Sequence, residues 1–126
     1  MKSALLVFLG GGIGSLLRYW ISVMIKNQIE TKLYLFGTFT VNVLGSLLIG
    51  ILIGWLFKTE SPNSNLQLLL IVGFCGGFTT FSAFSLENLN LLKSGMYFQF
   101  LLYAVGSLAV GILAVYIGFV MMKKLI

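Results

Sequence analysis

The sequence contains no histidine, one cysteine (Cys75), one proline (Pro62) and three acidic residues in 126 positions. A lone cysteine inside an apolar, glycine-rich run excludes a disulfide framework and the ligand spacing of a zinc site. With no histidine and a single carboxylate, Glu87, inside an apolar stretch, no nucleophile has a base beside it, which makes an enzyme the least favoured class. Charged residues are scarce as well, 9% against 59% hydrophobic, and the mean hydropathy is +1.05. That leaves too little polar surface to clothe a water-soluble globule, and lipid is the implied solvent. The net charge of +5 sits mostly in short polar breaks between apolar stretches. Membrane loops are charged in this way, and a nucleic-acid-binding patch is not.

What is present is a set of four apolar stretches, at about 3–25, 33–57, 66–92 and 96–122. Each is near or above the roughly 20 residues that cross a bilayer. The opening Met1-Lys2-Ser3 resembles the start of a signal peptide, but the apolar run outlasts an h-region and has no A-x-A cleavage site, so it reads as the first membrane helix. The connections, 26–32, 58–65 and 93–95, are too short to hold a soluble domain. The expectation is one all-α transmembrane domain over residues 1–126, with function inside the membrane or at its faces.

Four spans put Lys2, Lys58, Lys123 and Lys124 on one face. Lys26, Lys32 and Lys93 fall on the other, with Arg18 near it. So even a distribution gives the positive-inside rule almost nothing to act on. Either the weak bias still sets one orientation, or the chain inserts both ways up and pairs as an antiparallel homodimer with its two-fold axis in the membrane plane. Small residues recur four apart at Gly10 and Gly14, at Ser46, Gly50 and Gly54, and at Ser107 and Gly111. As a set they indicate closely approaching helices or oligomer contacts.

Polar residues in hydrocarbon are the informative ones, because an unpaired polar group there costs several kcal/mol. Arg18, on the face of Gly14, either snorkels to the interface or draws anions towards a pore mouth. Asn42, near the centre of the second span and one turn from Thr38 and Ser46, either clips two helices together or offers amide N–H groups to a ligand. The third span carries the run Gly73 to Ser85, with Gly76-Gly77 followed by Phe78-Thr79-Thr80, and then Glu87 and Asn88. Adjacent glycines before two threonines suit a local helix break, which frees backbone carbonyls. Such a break near a two-fold axis presents oxygens to a cation. Downstream, Phe81 and Phe84 share a helical face with Asn88. Rings so placed are either core or lipid-facing, or they offer their positive edges to an anion.

Three segments carry a resemblance. They are Gly10-Gly11-Gly12-Ile13-Gly14-Ser15-Leu16-Leu17-Arg18, then Gly37-Thr38-Phe39-Thr40-Val41-Asn42-Val43-Leu44-Gly45, then Gly76-Gly77-Phe78-Thr79-Thr80-Phe81-Ser82 with Phe84 and Glu87. Taken in order along all four spans, they resemble the CrcB or Fluc fluoride channel family. The resemblance implies a dual-topology antiparallel homodimer with two pores in the cell membrane. It would carry fluoride passively down its gradient and so protect a microbial cell from fluoride toxicity. It further implies that Phe81 and Phe84 line the ion path, that Asn42 is a donor beside them, and that Tyr103 and Ser107 form a polar track on the fourth helix. Gly111 stands where that track can have a serine. Thr38 and Glu87 match polar residues near the ends of the path, and Arg18 matches the vestibule arginine. The backbone carbonyls of Gly76 and Thr79 from both subunits would hold a structural sodium ion.

Two other classes compete. A small multidrug-type proton-coupled transporter also has four short spans, but it is expected to carry an embedded carboxylate, and Glu87 lies late in the third span. A structural or assembly subunit would use the glycine faces purely for packing, and would tolerate substitution of Asn42, Phe81 and Phe84.

Overall fold

The computed structural model describes residues 1–28, 35–56 and 63–125. Lys32, Lys58, Pro62 and the expected ends of the second span at 33–34 and 57 lie outside the described residues, as does the Lys26 side chain. Among the described residues all regular structure is helical. Helix α1 is Lys2–Gln28 and α2 is Leu35–Leu56. The third span is composite. A short α3 (Ser64–Gln67) runs into a π-helical stretch (Leu68–Cys75) and α4 (Gly76–Phe78), and α5 (Phe81–Lys93) follows two extended residues. Helix α6 is Tyr97–Leu125. The segments Lys2–Ile25, Leu35–Leu56, Ser64–Lys93 and Tyr97–Leu125 are each long and apolar enough to cross a membrane. The protein is a multi-pass membrane protein.

Local chemistry sets the ends of these elements. Asn63 caps α3, its Oδ1 accepting from Asn65 N–H at 3.0 Å. The turn between α5 and α6 is a Schellman closure. Met96 N–H donates to Leu91 C=O at 2.9 Å and Gly95 N–H to Leu92 C=O at 3.0 Å. Gly95 has φ +70°, a conformation that costs glycine nothing and most residues about 1 kcal/mol or more.

Glycines then seal the helices into two pairs. A Cβ at Gly10 would overlap the Leu69 carbonyl oxygen, one at Gly14 the Phe74 oxygen, and one at Gly77 the Gly11 oxygen. Helix α1 and the third span therefore touch backbone to backbone. Likewise a Cβ at Gly50 would overlap the Val115 oxygen, and one at Gly118 the Leu47 oxygen, which joins α2 to α6. The Gly10 with Gly14 and Gly50 with Gly54 spacings thus serve packing within the chain, where close approach strengthens dispersion contact. Few side chains are fully covered, with Val41, Cys75, Phe78, Leu91 and Ala114 forming the buried apolar set. Many other large apolar side chains, Phe8 and Phe98 among them, face outward. That arrangement suits lipid as the surrounding medium.

Candidate functional site

The site begins where the third span stops being helical. Thr79 (φ −83°, ψ 158°) and Thr80 (φ −148°, ψ 120°) are extended, so the carbonyls of the preceding turn lose the N–H groups a continuous helix would bring them. Each freed group in hydrocarbon must find a partner. The Cys75 oxygen accepts from Thr79 N–H at 3.0 Å and from Thr79 Oγ1–H at 2.9 Å. The Gly77 oxygen accepts from Arg18 Nε–H at 3.1 Å and Ser15 Oγ–H at 3.3 Å. Thr80 is held at both ends of its own residue, donating its N–H to Asn42 Oδ1 at 2.7 Å and accepting from Asn42 Nδ2–H at 3.0 Å. Its hydroxyl caps α5 by accepting from Ala83 N–H at 3.3 Å. Because Thr80 N–H and Ala83 N–H are committed in this way, the carbonyls of Gly76 and Thr79 have no helical donor left to them.

Asn42, Thr79, Thr80, Phe81, Phe84 and Ser107 line one open groove of about 760 Å³ bounded by α2, the third span and α6. The ring of Phe81 is 79% exposed, and its centroid lies 5.8 Å from that of Phe84 at an interplanar angle of 41°. Phe84 in turn lies 5.3 Å from Tyr103 at 51°. Both pairs are tilted, between the stacked and the edge-to-face arrangements. The Tyr103 hydroxyl donates to Glu87 Oε2 at 2.6 Å, and the Thr38 hydroxyl donates to Glu87 Oε1 at 2.6 Å. One carboxylate therefore joins α2, α5 and α6, with both oxygens accepting short charge-assisted bonds. One turn beyond Tyr103, the buried Ser107 Oγ makes no hydrogen bond. Gly111 follows on the same face of the groove, and a Cβ there would lie 3.7 Å from Ser46 Oγ.

The structure thus brings Asn42, Phe81, Phe84 and Ser107 into one groove with Gly76 and Thr79. Tyr103 adjoins it through its ring contact with Phe84, whereas Thr38 and Glu87 connect to it only through their hydrogen bonds with each other and with Tyr103. Arg18 reaches the Gly77 carbonyl from α1 instead. Sequence reasoning passed over Ser15, although it lies three residues before Arg18 and so on its face. It also gave Thr80 no partner, since no local signal connects it to a residue 38 positions away. Asn88, singled out beside Phe84, spends its amide on the Phe84 carbonyl at 2.8 Å and keeps a buried, unpaired Oδ1.

A family model described as CrcB-like protein, Camphor Resistance (CrcB), matches residues 5–119. A protein named Fluoride-specific ion channel FluC from Phocaeicola vulgatus is 51% identical over 118 residues, covering 94% of this chain and 96% of that one. Its namesake from Gloeothece citriformis is 44% identical over 124 residues, covering 98% and 99%. The one from Flavobacterium psychrophilum is 41% identical over 125 residues, covering 99% and 100%. These relatives are named as channels, not as enzymes or proton-coupled transporters. With the family match and such end-to-end similarity, this four-span chain belongs to the CrcB family.

Proposed function

We propose that this protein is a fluoride-selective ion channel that lets fluoride leave the cell passively, working as an antiparallel, dual-topology homodimer with two pores. The observation that carries the reading is the placement of Asn42, Phe81 and Phe84 in one groove, in a chain whose relatives are named fluoride-specific ion channels. Fluoride is small and strongly hydrated, so a pore must replace its water shell with donors while binding it weakly enough to release it. Asn42 spends its oxygen and one N–H on Thr80, which leaves its second amide N–H for the groove. The edges of Phe81 and Phe84 add several weakly positive contacts, and Ser107 Oγ–H is an uncommitted donor further along. Tyr103 and Thr38 direct their hydroxyl protons to Glu87. They act as donors to a passing anion when that carboxylate turns away.

The near-even spread of lysines over the two faces supports insertion in both orientations. An opposed second copy covering the open groove would close it into a path. Sodium fits the break. Among the described residues no group of three or more His, Cys, Asp or Glu side chains could hold a metal, whereas the Gly76 and Thr79 carbonyls lack helical donors and border the groove. Such neutral oxygens suit a hard monovalent cation. When bound, the ion would supply charge that binds the two breaks together.

The test is fluoride efflux from liposomes holding the purified protein, with chloride-loaded vesicles as comparison. Fast fluoride release without chloride release is expected. A folded protein that releases neither, or both equally, would overturn the reading.

A further inference from the structure

We propose that Arg18 is a positioning residue, whose Nε–H holds the Gly77 carbonyl and so sets the geometry of the Thr79–Thr80 segment, and that its charge is secondary. The inference rests on the channel and cation-site reading above. Adjacent glycines at 76 and 77 have the widest backbone freedom of any pair, so the directions of their carbonyls need an external hold. Gly77 C=O would find its helical partner at Phe81 N–H, which the extended residues carry out of reach. Left alone in hydrocarbon, that oxygen would rotate towards any donor, taking the neighbouring Gly76 peptide with it.

Two side chains on one face of α1 prevent this, Arg18 at 3.1 Å and Ser15 at 3.3 Å. Both can reach because α1 and the third span touch backbone to backbone at Gly11, Gly14 and Gly77. The hold is therefore made within one subunit, on the carbonyl directly beside the one assigned to the cation. A role in drawing anions would need only the charge. The observed contact uses the secondary nitrogen of the guanidinium, the atom placed fourth from Cα.

That detail gives a clean test. Glutamine carries its amide nitrogen at the same distance along the side chain, without charge. Lysine keeps the charge and has a methylene there. The full-length protein and its Arg18→Gln, Arg18→Lys and Ser15→Ala variants are to be compared in liposomes for initial fluoride efflux against sodium concentration, and in detergent for melting temperature against sodium. A bond to a carbonyl is worth enough that Arg18→Lys should raise the half-saturating sodium by about tenfold, with Arg18→Gln and Ser15→Ala each within about threefold of the parent.

Restoration by Gln but not Lys, in the sodium dependence of both readouts, supports positioning; a Lys variant that misfolds beside a folded Gln variant does the same. Parent-like behaviour of Lys with loss in Gln would overturn it in favour of charge. A parent protein indifferent to sodium would remove the sodium reading alone. The efflux order of Gln above Lys would still decide the role of Arg18. A parent that passes no fluoride would remove the channel reading, leaving the melting series to rank the variants.

Discussion

Asn42 on α2 holds Thr80 at both its N–H and its C=O, at 2.7 and 3.0 Å, across a separation of 38 residues. The reciprocal pair fixes which end of the amide is oxygen, because a backbone N–H needs an acceptor and a carbonyl needs a donor. It also gives the clip reading of this asparagine its partner, since the two bonds tie α2 to the third span.

Replacing Asn42 by alanine should therefore cost more than one bond. Both Thr80 groups are left unpaired in hydrocarbon, for a loss of about 2–4 kcal/mol in stability. The expected result is a lower melting temperature in detergent together with loss of fluoride efflux. Asn42→Asp should be no better, since it keeps an acceptor for Thr80 N–H and sets a carboxylate against Thr80 C=O. An Asp variant with parental efflux would contradict the assignment.

Phe81→Ile and Phe84→Ile should each slow fluoride efflux by roughly tenfold or more, on the scale of a lost aromatic contact of about 1–1.5 kcal/mol. Phe81 is largely exposed in the chain, so folding should survive. Gel filtration reports assembly and the fluoride electrode reports flux. Unchanged flux in both variants would remove the aromatic-edge mechanism.

Glu87 accepts from Thr38 and Tyr103, so Glu87→Gln and Tyr103→Phe should not be additive. Each removes the same charge-assisted bond, worth about 1.5–3 kcal/mol, and the double variant should lose little beyond the worse single one. A double-mutant cycle on melting temperature and efflux measures the coupling. Simple additivity would mean that the carboxylate and the hydroxyl act independently.

The glycine pairing predicts a contrast. Gly50→Ala drives a Cβ into the Val115 backbone and should destabilise the protein by about 1–3 kcal/mol. Gly12→Ala meets no atom within 4 Å and should stabilise α1 by up to about 1 kcal/mol. Detergent melting curves distinguish the two directly.

On the proposed sodium site and dimer, exchange of sodium for a larger monovalent cation during purification should weaken assembly or flux, because carbonyl oxygens select by cavity size and ligand field. Gel filtration across the exchange provides the measurement. Indifference to the cation would count against the Gly76 and Thr79 site.

Many residues of the candidate site draw notice one by one in the sequence. Asn42, Phe81, Phe84 and Glu87 stand out because polar groups and clustered rings in an apolar span demand a reason, and the Gly76-Gly77 pair before Thr79-Thr80 is poor helix-forming sequence. Their partners were not legible. Arg18 reads equally as a snorkelling cation or an anion attractor until the Gly77 carbonyl is seen at its Nε. The π-helical stretch Leu68–Cys75 is apolar throughout, with nothing in its residues to separate one hydrogen-bond register from another.

The sequence by itself determined that this chain lives in lipid, how many times it crosses, and where along the chain its polar exceptions fall. Those are local properties, since transfer into hydrocarbon depends on the composition of each stretch alone. Only the tertiary structure decided which helices pair, and that Thr38, Glu87 and Tyr103 meet while Ser15 and Arg18 converge on Gly77. In a medium without water each freed polar group must find a partner in protein, and that partner sits on another helix whose approach is set by backbone contact between glycines.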